Sequence, residues 1–233
     1  MAKFTLGRLF TAGVAAVGVA LISAPAQASL MLSLEVASDN SKSVNVHVGD
    51  VVTLNVYGIV TGANGTADDG VQSATGSFVS TLTGNGAAIG NFAAASPVSP
   101  FNSGSTNGLV QDLNGQPGLD VGSSTTTADY VFFHAGALQV SANANPKFLL
   151  GTLEWTVTSI PAGGTTELNF LPRSINTGAV WREDGVNKNP TTGTFMAGAP
   201  VVVSVPEPGT LGLFGVIAAS LLMSRRKRAA SVA

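Results

Sequence analysis

Few side chains in this chain have the chemistry of an active site. It has two histidines, His47 and His134, and no cysteine. A histidine beside a serine can act as a general base, and His134 follows the run Tyr130 to Phe133. His47 falls on the outward side of a strand pattern, and neither histidine belongs to a nucleophile-elbow or zinc-protease motif. The sequence therefore predicts no catalytic residue and no enzyme activity.

Acidic residues in two loops carry the kind of oxygen ligands that Ca²⁺ binds. One holds Asp68 and Asp69, and the other runs from Asp112 to Asp120 and includes Asn114. The spacing matches no EF-hand loop, and aspartate and asparagine are common in ordinary turns. We predict no metal site and no cofactor, with calcium as the alternative.

The two tryptophans are the candidates for stacking on sugar rings. Trp155 lies within a hydrophobic strand and is expected in the core. Trp181 precedes Arg182-Glu183-Asp184 at a strand end, so it is the candidate sugar contact, with packing at the core edge as the alternative. A polysaccharide-acting enzyme would also need two carboxyl groups about 5–9 Å apart in a cleft.

Alternating apolar and polar residues predict short β-strands and no helix in the central part of the chain. The phase is ambiguous in Phe148 to Thr158, because Leu149, Leu150 and Leu153 do not share one parity. Gly84 to Asp129 is 46 residues with few strand signals, and a structureless loop of that length would be unusual. We predict an all-β antiparallel sandwich over residues 29–204, with strands at 30–36, 44–48, 52–56, 76–82, 130–134, 148–158, 167–171, 179–182 and 201–205.

The charge of this central part argues against a nucleic-acid partner. Residues 29–205 carry five basic and twelve acidic side chains, a formal charge of −7, although the whole chain is at −2. Nucleic-acid binding depends on positive charge that neutralises phosphates. Without cysteine, the fold must be held by packing and hydrogen bonds alone.

The first 28 residues have the pattern of a secretory signal peptide. Lys3 and Arg8 precede an uncharged apolar run, Leu9 to Ile22. Ala26-Gln27-Ala28 then fits the small-x-small site of signal peptidase, which predicts cleavage between Ala28 and Ser29. An uncleaved anchor is the alternative.

The last 29 residues combine a turn motif, an apolar run and a basic cluster. Val205-Pro206-Glu207-Pro208 precedes the 15-residue run Gly209 to Met223. As a helix the run would span about 22 Å, against about 30 Å for a bilayer core, and a buried helix is the alternative. Arg225-Arg226-Lys227-Arg228 then predicts a stop-transfer signal on the cytoplasmic side, with stems that extend the span.

This C-terminus resembles the PEP-CTERM sorting signal of Gram-negative bacteria in the order of its three parts. The resemblance implies processing by exosortase, a membrane-embedded transpeptidase-like enzyme, with Pro206, Glu207 and Pro208 as the recognition element. It implies a membrane-bound precursor and a product at the cell surface or in the extracellular matrix. The family is associated with exopolysaccharide and biofilm production.

The opening strands, Leu32 to Tyr57, are similar to the start of a cohesin-type or carbohydrate-binding-module-type jelly roll. That resemblance implies a binding module. We expect a non-enzymatic structural, adhesive or binding protein whose partners are signal peptidase, exosortase, the membrane and, at the surface, exopolysaccharide or other proteins. The alternatives are a secreted polysaccharide-acting enzyme and a permanently anchored envelope protein.

Overall fold

A computed structural model of the chain describes residues 29–61, 68–83, 87–123, 127–143, 146–160, 164–172 and 178–205. The predicted signal peptide, the Pro206-Glu207-Pro208 motif, the apolar run and the Arg225 to Arg228 cluster lie outside these ranges and stay predictions. Within them no helix is long and apolar enough to cross a membrane.

The described residues form sixteen strands and one short 3₁₀ turn at Thr127–Asp129. In chain order the strands are β1 (Ser29–Val36), β2 (Ser43–Asn45), β3 (Val51–Thr61), β4 (Asp69–Thr83), β5 (Ile89–Phe92), β6 (Ser96–Pro97), β7 (Thr106–Asn107), β8 (Val110–Gln111), β9 (Asp120–Val121), β10 (Val131–Ser141), β11 (Lys147–Ser159), β12 (Thr165–Pro172), β13 (Val180–Glu183), β14 (Val186–Lys188), β15 (Thr194–Ala197) and β16 (Val201–Ser204).

These strands make two sheets that face each other across one core. The first sheet has the order β15-β1-β3-β11-β5, and β6 also pairs with β11. The second has the order β14-β13-β4-β12-β16-β2, with β10 and β9 pairing along β4. Only the β1–β15 and β2–β16 pairs are parallel among the described strand pairs. The predicted all-β antiparallel sandwich is therefore confirmed.

Alternating burial in β3 places the core between the sheets, as its sequence pattern predicted, whereas in β1 the intervening Ser33 and Glu35 are buried as well. Leu54, Val56 and Val60 of β3 are fully buried while their neighbours face outward. Phe78 and Leu168 enter the same core from the second sheet. Side chains of period two can bury one face of a sheet and leave the other exposed.

The predicted alternation from Val44 to Val48 ends early. The strand stops at Asn45, and Val48 is 62% exposed. The backbone N–H of His47 donates to the Asp50 carboxylate at 2.7 Å, and Gly49 has a φ of +92°. A side-chain acceptor and a left-handed glycine together make a turn at this point.

A bulge in β11 explains its mixed parity. The register with β3 shifts between Leu149 and Gly151, so Leu150 is an extra residue opposite Tyr57 and Val56. Leu149 faces outward at 37% exposure, whereas Leu150 and Leu153 are buried. Two residues of different parity therefore reach the same core.

Large rings of the core lie directly against glycine backbone. A Cβ on Gly76 would lie 2.3 Å from the Phe170 ring and 2.7 Å from the Leu171 carbonyl oxygen. A Cβ on Gly90 would lie 2.4 Å from the Trp155 ring. Close-packed interiors do not absorb an added methyl group easily, so these glycines set how closely ring and strand approach.

We expect Gly76→Ala to lower the free energy of unfolding by about 1–3 kcal/mol, because backbone and ring must both move. Gly136→Ala is the matched control in a strand, since the nearest atom to its added Cβ is 3.6 Å away. Urea unfolding followed by tryptophan fluorescence measures both. Equal stability of the two variants would contradict the packing argument.

Candidate functional site

The last described segment of the chain passes from one sheet to the other. β15 runs parallel to β1 in the first sheet, and the Gly198 N–H then donates to the Leu32 carbonyl at 2.7 Å. β16 enters the second sheet between β12 and β2. The Val46 N–H donates to the Ser204 carbonyl at 3.1 Å, and Val205 packs against the core. The backbone is thus held in place up to Val205.

Lys42 holds the segment that links β15 to β16 against β1. Its Nζ donates to Ser33 Oγ at 2.6 Å, to the Ala199 carbonyl at 3.3 Å and to the Leu34 carbonyl. Burial lowers the pKa of Lys42, and the nearby Glu35 carboxylate opposes part of that shift. One cation therefore joins β1 to the link between β15 and β16.

The loop from His47 to Asp50 closes the end of the sandwich beside Ser204. The Gly49 N–H donates to the Val157 carbonyl at 2.9 Å, and the Val157 N–H donates to the Asp50 carbonyl at 2.9 Å. The loop therefore crosses from the second sheet to β11 in the first. A groove of about 530 Å³ lies next to it, lined by Val36, Ala37, Ser38, Val44, Asn45, Val46, Asp50, Val51, Val52 and Thr53.

The two histidines lie apart from each other in the fold. The His47 side chain is 79% exposed, with its Nδ1 3.5 Å from the Asp50 carboxylate. His134 Nδ1 lies 2.5 Å from the Ser103 carbonyl oxygen, and its ring stacks on Phe132 at 5.4 Å. A carbonyl oxygen only accepts a hydrogen bond, so this contact places the proton on Nδ1. These contacts orient the His134 ring without building a nucleophile–base pair.

The structure corrects the prediction of a sugar contact at Trp181. The Trp181 side chain is 0% exposed, and its ring lies 6.3 Å from that of Phe195. The indole has no face open to solvent, so a sugar ring cannot stack on it. Trp155 is also fully buried, as predicted. The polar residues after Trp181 form the β13–β14 turn and do not expose the ring.

The Asp112–Asp120 loop uses its polar side chains to pair with the edge of β4. The Ser80 N–H donates to the Asp120 carboxylate at 2.8 Å, and the Leu82 N–H donates to Gln116 Oε1 at 2.7 Å. Asn114 Nδ2 donates to the Ser80 carbonyl at 2.8 Å. β9 pairs with β4 only at Phe78, so beyond that residue no described strand lies on this side of β4. The loop side chains bond the backbone groups of Ser80 and Leu82 there instead.

The other acidic loop is tied to the β13–β14 turn. Asp69 is 0% exposed, and one of its carboxylate oxygens accepts the Asp184 N–H at 2.7 Å. The other oxygen of Asp69 is buried without a hydrogen-bond partner. Within the described ranges, no three histidine, aspartate or glutamate side chains are grouped to hold a metal ion.

A known family model matches the C-terminal tail. The match covers residues 204–228 and is described as a PEP-CTERM protein-sorting motif. The chain carries a PEP-CTERM sorting signal. The match begins at Ser204, the last residue of β16, so the sorting signal follows the folded domain without a spacer.

Some solved structures are similar to the domain, and no curated protein matches the chain significantly. The seventh ScaB type I cohesin from Pseudobacteroides cellulosolvens shares 12% identity over 78% of this chain and 96% of that chain, with a TM-score of 0.38. CaCohA2 from Clostridium acetobutylicum shares 13% identity over 77% of this chain and 90% of that chain, with a TM-score of 0.36. Values this low say nothing about a ligand or partner of this chain.

The buried Asp120 carboxylate gives stability a defined pH dependence. Burial raises the pKa of Asp120 above 3.8, and the hydrogen bonds from Ser80 and Leu113 oppose this. A carboxyl whose folded pKa is raised favours the folded state as pH falls toward its unfolded pKa. We expect the free energy of unfolding of the wild type to rise relative to that of Asp120→Asn as the pH is lowered from about 7 to about 4. Chemical denaturation at several pH values measures this, and the opposite trend would contradict it.

We expect millimolar Ca²⁺ to leave the melting temperature unchanged. The carboxylate oxygens of Asp112 and Asp120 already accept backbone N–H groups within their own loop, so binding a cation would break those bonds. Differential scanning fluorimetry with CaCl₂, and with MgCl₂ as control, measures this. A rise specific to Ca²⁺ would establish the calcium alternative.

Proposed function

We propose that this chain is an exported protein that exosortase sorts to the cell surface or extracellular matrix of a Gram-negative bacterium. The observation that carries the proposal is the sorting motif at residues 204–228, directly after the last strand of a folded domain. A signal peptide at residues 1–28 would deliver the domain across the inner membrane, with cleavage before Ser29.

The position of the motif suits recognition by another protein. Val205 packs against the core, so the three residues Pro206, Glu207 and Pro208 separate packed chain from the apolar run that begins at Gly209. Proline has no backbone N–H and disfavours helix in the residue before it. Two prolines make the motif a poor continuation of a strand, so in this proposal its backbone is available to exosortase.

Charge supports the same topology. The central part carries a formal charge of −7, whereas Arg225 to Arg228 provide four adjacent cations. The positive-inside rule keeps such a cluster in the cytoplasm. The folded domain then lies outside, on the same side of the membrane as the Pro206-Glu207-Pro208 motif.

The domain itself we propose to be a non-enzymatic structural or adhesive module. On the outer face of its first sheet, polar side chains contact one another. Lys147 Nζ lies 2.7 Å from the Glu35 carboxylate and 3.9 Å from the centre of the Tyr57 ring. The Tyr57 hydroxyl accepts from Asn55 and donates to Asn40, each at 3.3 Å. A surface fixed by contacts among three strands and a turn suits binding to exopolysaccharide or other surface proteins without chemistry.

Replacing Pro206-Glu207-Pro208 by alanines is expected to leave the protein in the inner membrane. The reason is that exosortase loses its recognition element while the apolar run and basic cluster still anchor the chain. Cell fractionation and mass spectrometry of the released product measure this in a host that has exosortase, with Ser204→Ala as the control that stays exported. Release of the alanine variant, or a released wild-type product that extends to Ala233, would contradict the proposal.

A further inference from the structure

We propose that the domain stands on the membrane by one particular end before the tail is cleaved. This tail-side end comprises the loop from His47 to Asp50, Val51 and the end of β16, and its partner is the outer lipid surface of the inner membrane. The inference rests on the proposed anchoring by the tail and adds which surface of the domain meets the bilayer.

Strand direction places this end next to the tail. β16 runs parallel to β2, with Val202 opposite Ser43 and Ser204 opposite Asn45. Residues 46–51 therefore continue past the point where the tail leaves the domain. The Val46 N–H bond to the Ser204 carbonyl, at 3.1 Å, fixes the two segments side by side.

The segment between Val205 and the apolar run at Gly209 is too short to lift the domain far from the bilayer. Four residue steps separate Val205 from Gly209, which is at most about 14 Å of fully extended chain. A helix over Gly209 to Met223 spans about 22 Å of a core about 30 Å thick. The run has no length to spare, so its first residue must lie in the membrane interface.

The chemistry of the tail-side end fits that position. Val48 and Val51 are 62% and 54% exposed, and they lie two and five residues beyond Val46. An exposed apolar pair at a tip can insert among lipid headgroups, as the apolar faces of interfacial segments do. The Asp50 carboxylate accepts the His47 N–H at 2.7 Å and its side chain is 48% exposed, so this acidic group lies at the headgroup level beside the two valines.

The opposite end of the sandwich supplies a matched comparison. Thr83 pairs with Thr165, which pairs with Ser204, so this end of β4 is tail-side. Gly70, near the other end of β4, pairs with Arg182 beside the β13–β14 turn. The thirteen residue steps of β-strand from Gly70 to Thr83 span roughly 40 Å. Val186, the first residue of β14 after that turn, is 54% exposed, the same as Val51.

The chain has no cysteine, so Val51→Cys and Val186→Cys each give one labelling site. The full chain is expressed in a bacterium without exosortase, isolated from its membranes and reconstituted into vesicles of phosphatidylcholine and phosphatidylglycerol that contain a headgroup spin-labelled lipid. An environment-sensitive fluorophore on each cysteine reports its proximity to the headgroups. Mass spectrometry confirms that the tail is intact and that the N-terminus is Ser29.

We expect the label at residue 51 to be quenched several-fold more than the label at residue 186, and the difference to vanish when the chain is cut after Val205. Equal quenching, or stronger quenching at residue 186, overturns the orientation while leaving tail anchoring intact. Failure of the intact chain to float with the vesicles overturns both. Exosortase plays no part in this measurement, so a failure of motif recognition would not affect its result.

Discussion

Contact between aromatic rings of the two sheets is the interaction on which the rest of the domain depends. Phe170 lies 5.2 Å from Phe78 within the second sheet and 5.7 Å from Phe195 of β15, which belongs to the first. Trp181 lies 6.3 Å from the same Phe195 ring. Without cysteine, no disulfide can join the sheets, so the area buried by these rings must hold them together.

The same contact directs the tail. Phe195 fixes β15 beside β1, and the crossing held by Lys42 then delivers the chain to β16. Because β16 lies between β12 and β2 in the interior of a sheet, Ser204 cannot shift without breaking pairs on both sides. The sorting signal therefore begins at a point that the pairing on both sides of β16 fixes, and the proposed orientation of the precursor depends on that core packing.

Sequence patterns gave the well-alternating strands and the fold class. The prediction of β1 and β3 from Leu30 to Val36 and Val52 to Val56 is confirmed, because one side of each faces the core. Some β-structure was expected in Gly84 to Asp129, and β5 to β9 lie there. β15 was missed, because four residues are too few for a periodic pattern and its pairing partner lies 165 positions earlier, at Ser29.

Trp181 shows why a site prediction from sequence failed. Its polar neighbours suggested an exposed position, but the ring packs beneath residues from β15 and against Gly193. The polar loop Asp112 to Asp120 gave no sign that its side chains pair with β4. Burial and edge pairing both depend on which distant segment lies alongside, and local composition does not report that.

The sequence by itself determined that this protein carries a sorting signal, because such a signal is a short linear pattern of prolines, apolar residues and cations read as extended or helical chain. It also determined an acidic, cysteine-free β-domain. Only the tertiary structure decided that the tail leaves beside Val48 and Val51 and that Ser29 begins at the other end of β3, opposite Thr61. The first fact depends on the pairing of Ser204 with Asn45, which lie 159 positions apart, and the second on the pairing of Ser29 with Thr61; only the packed core specifies both.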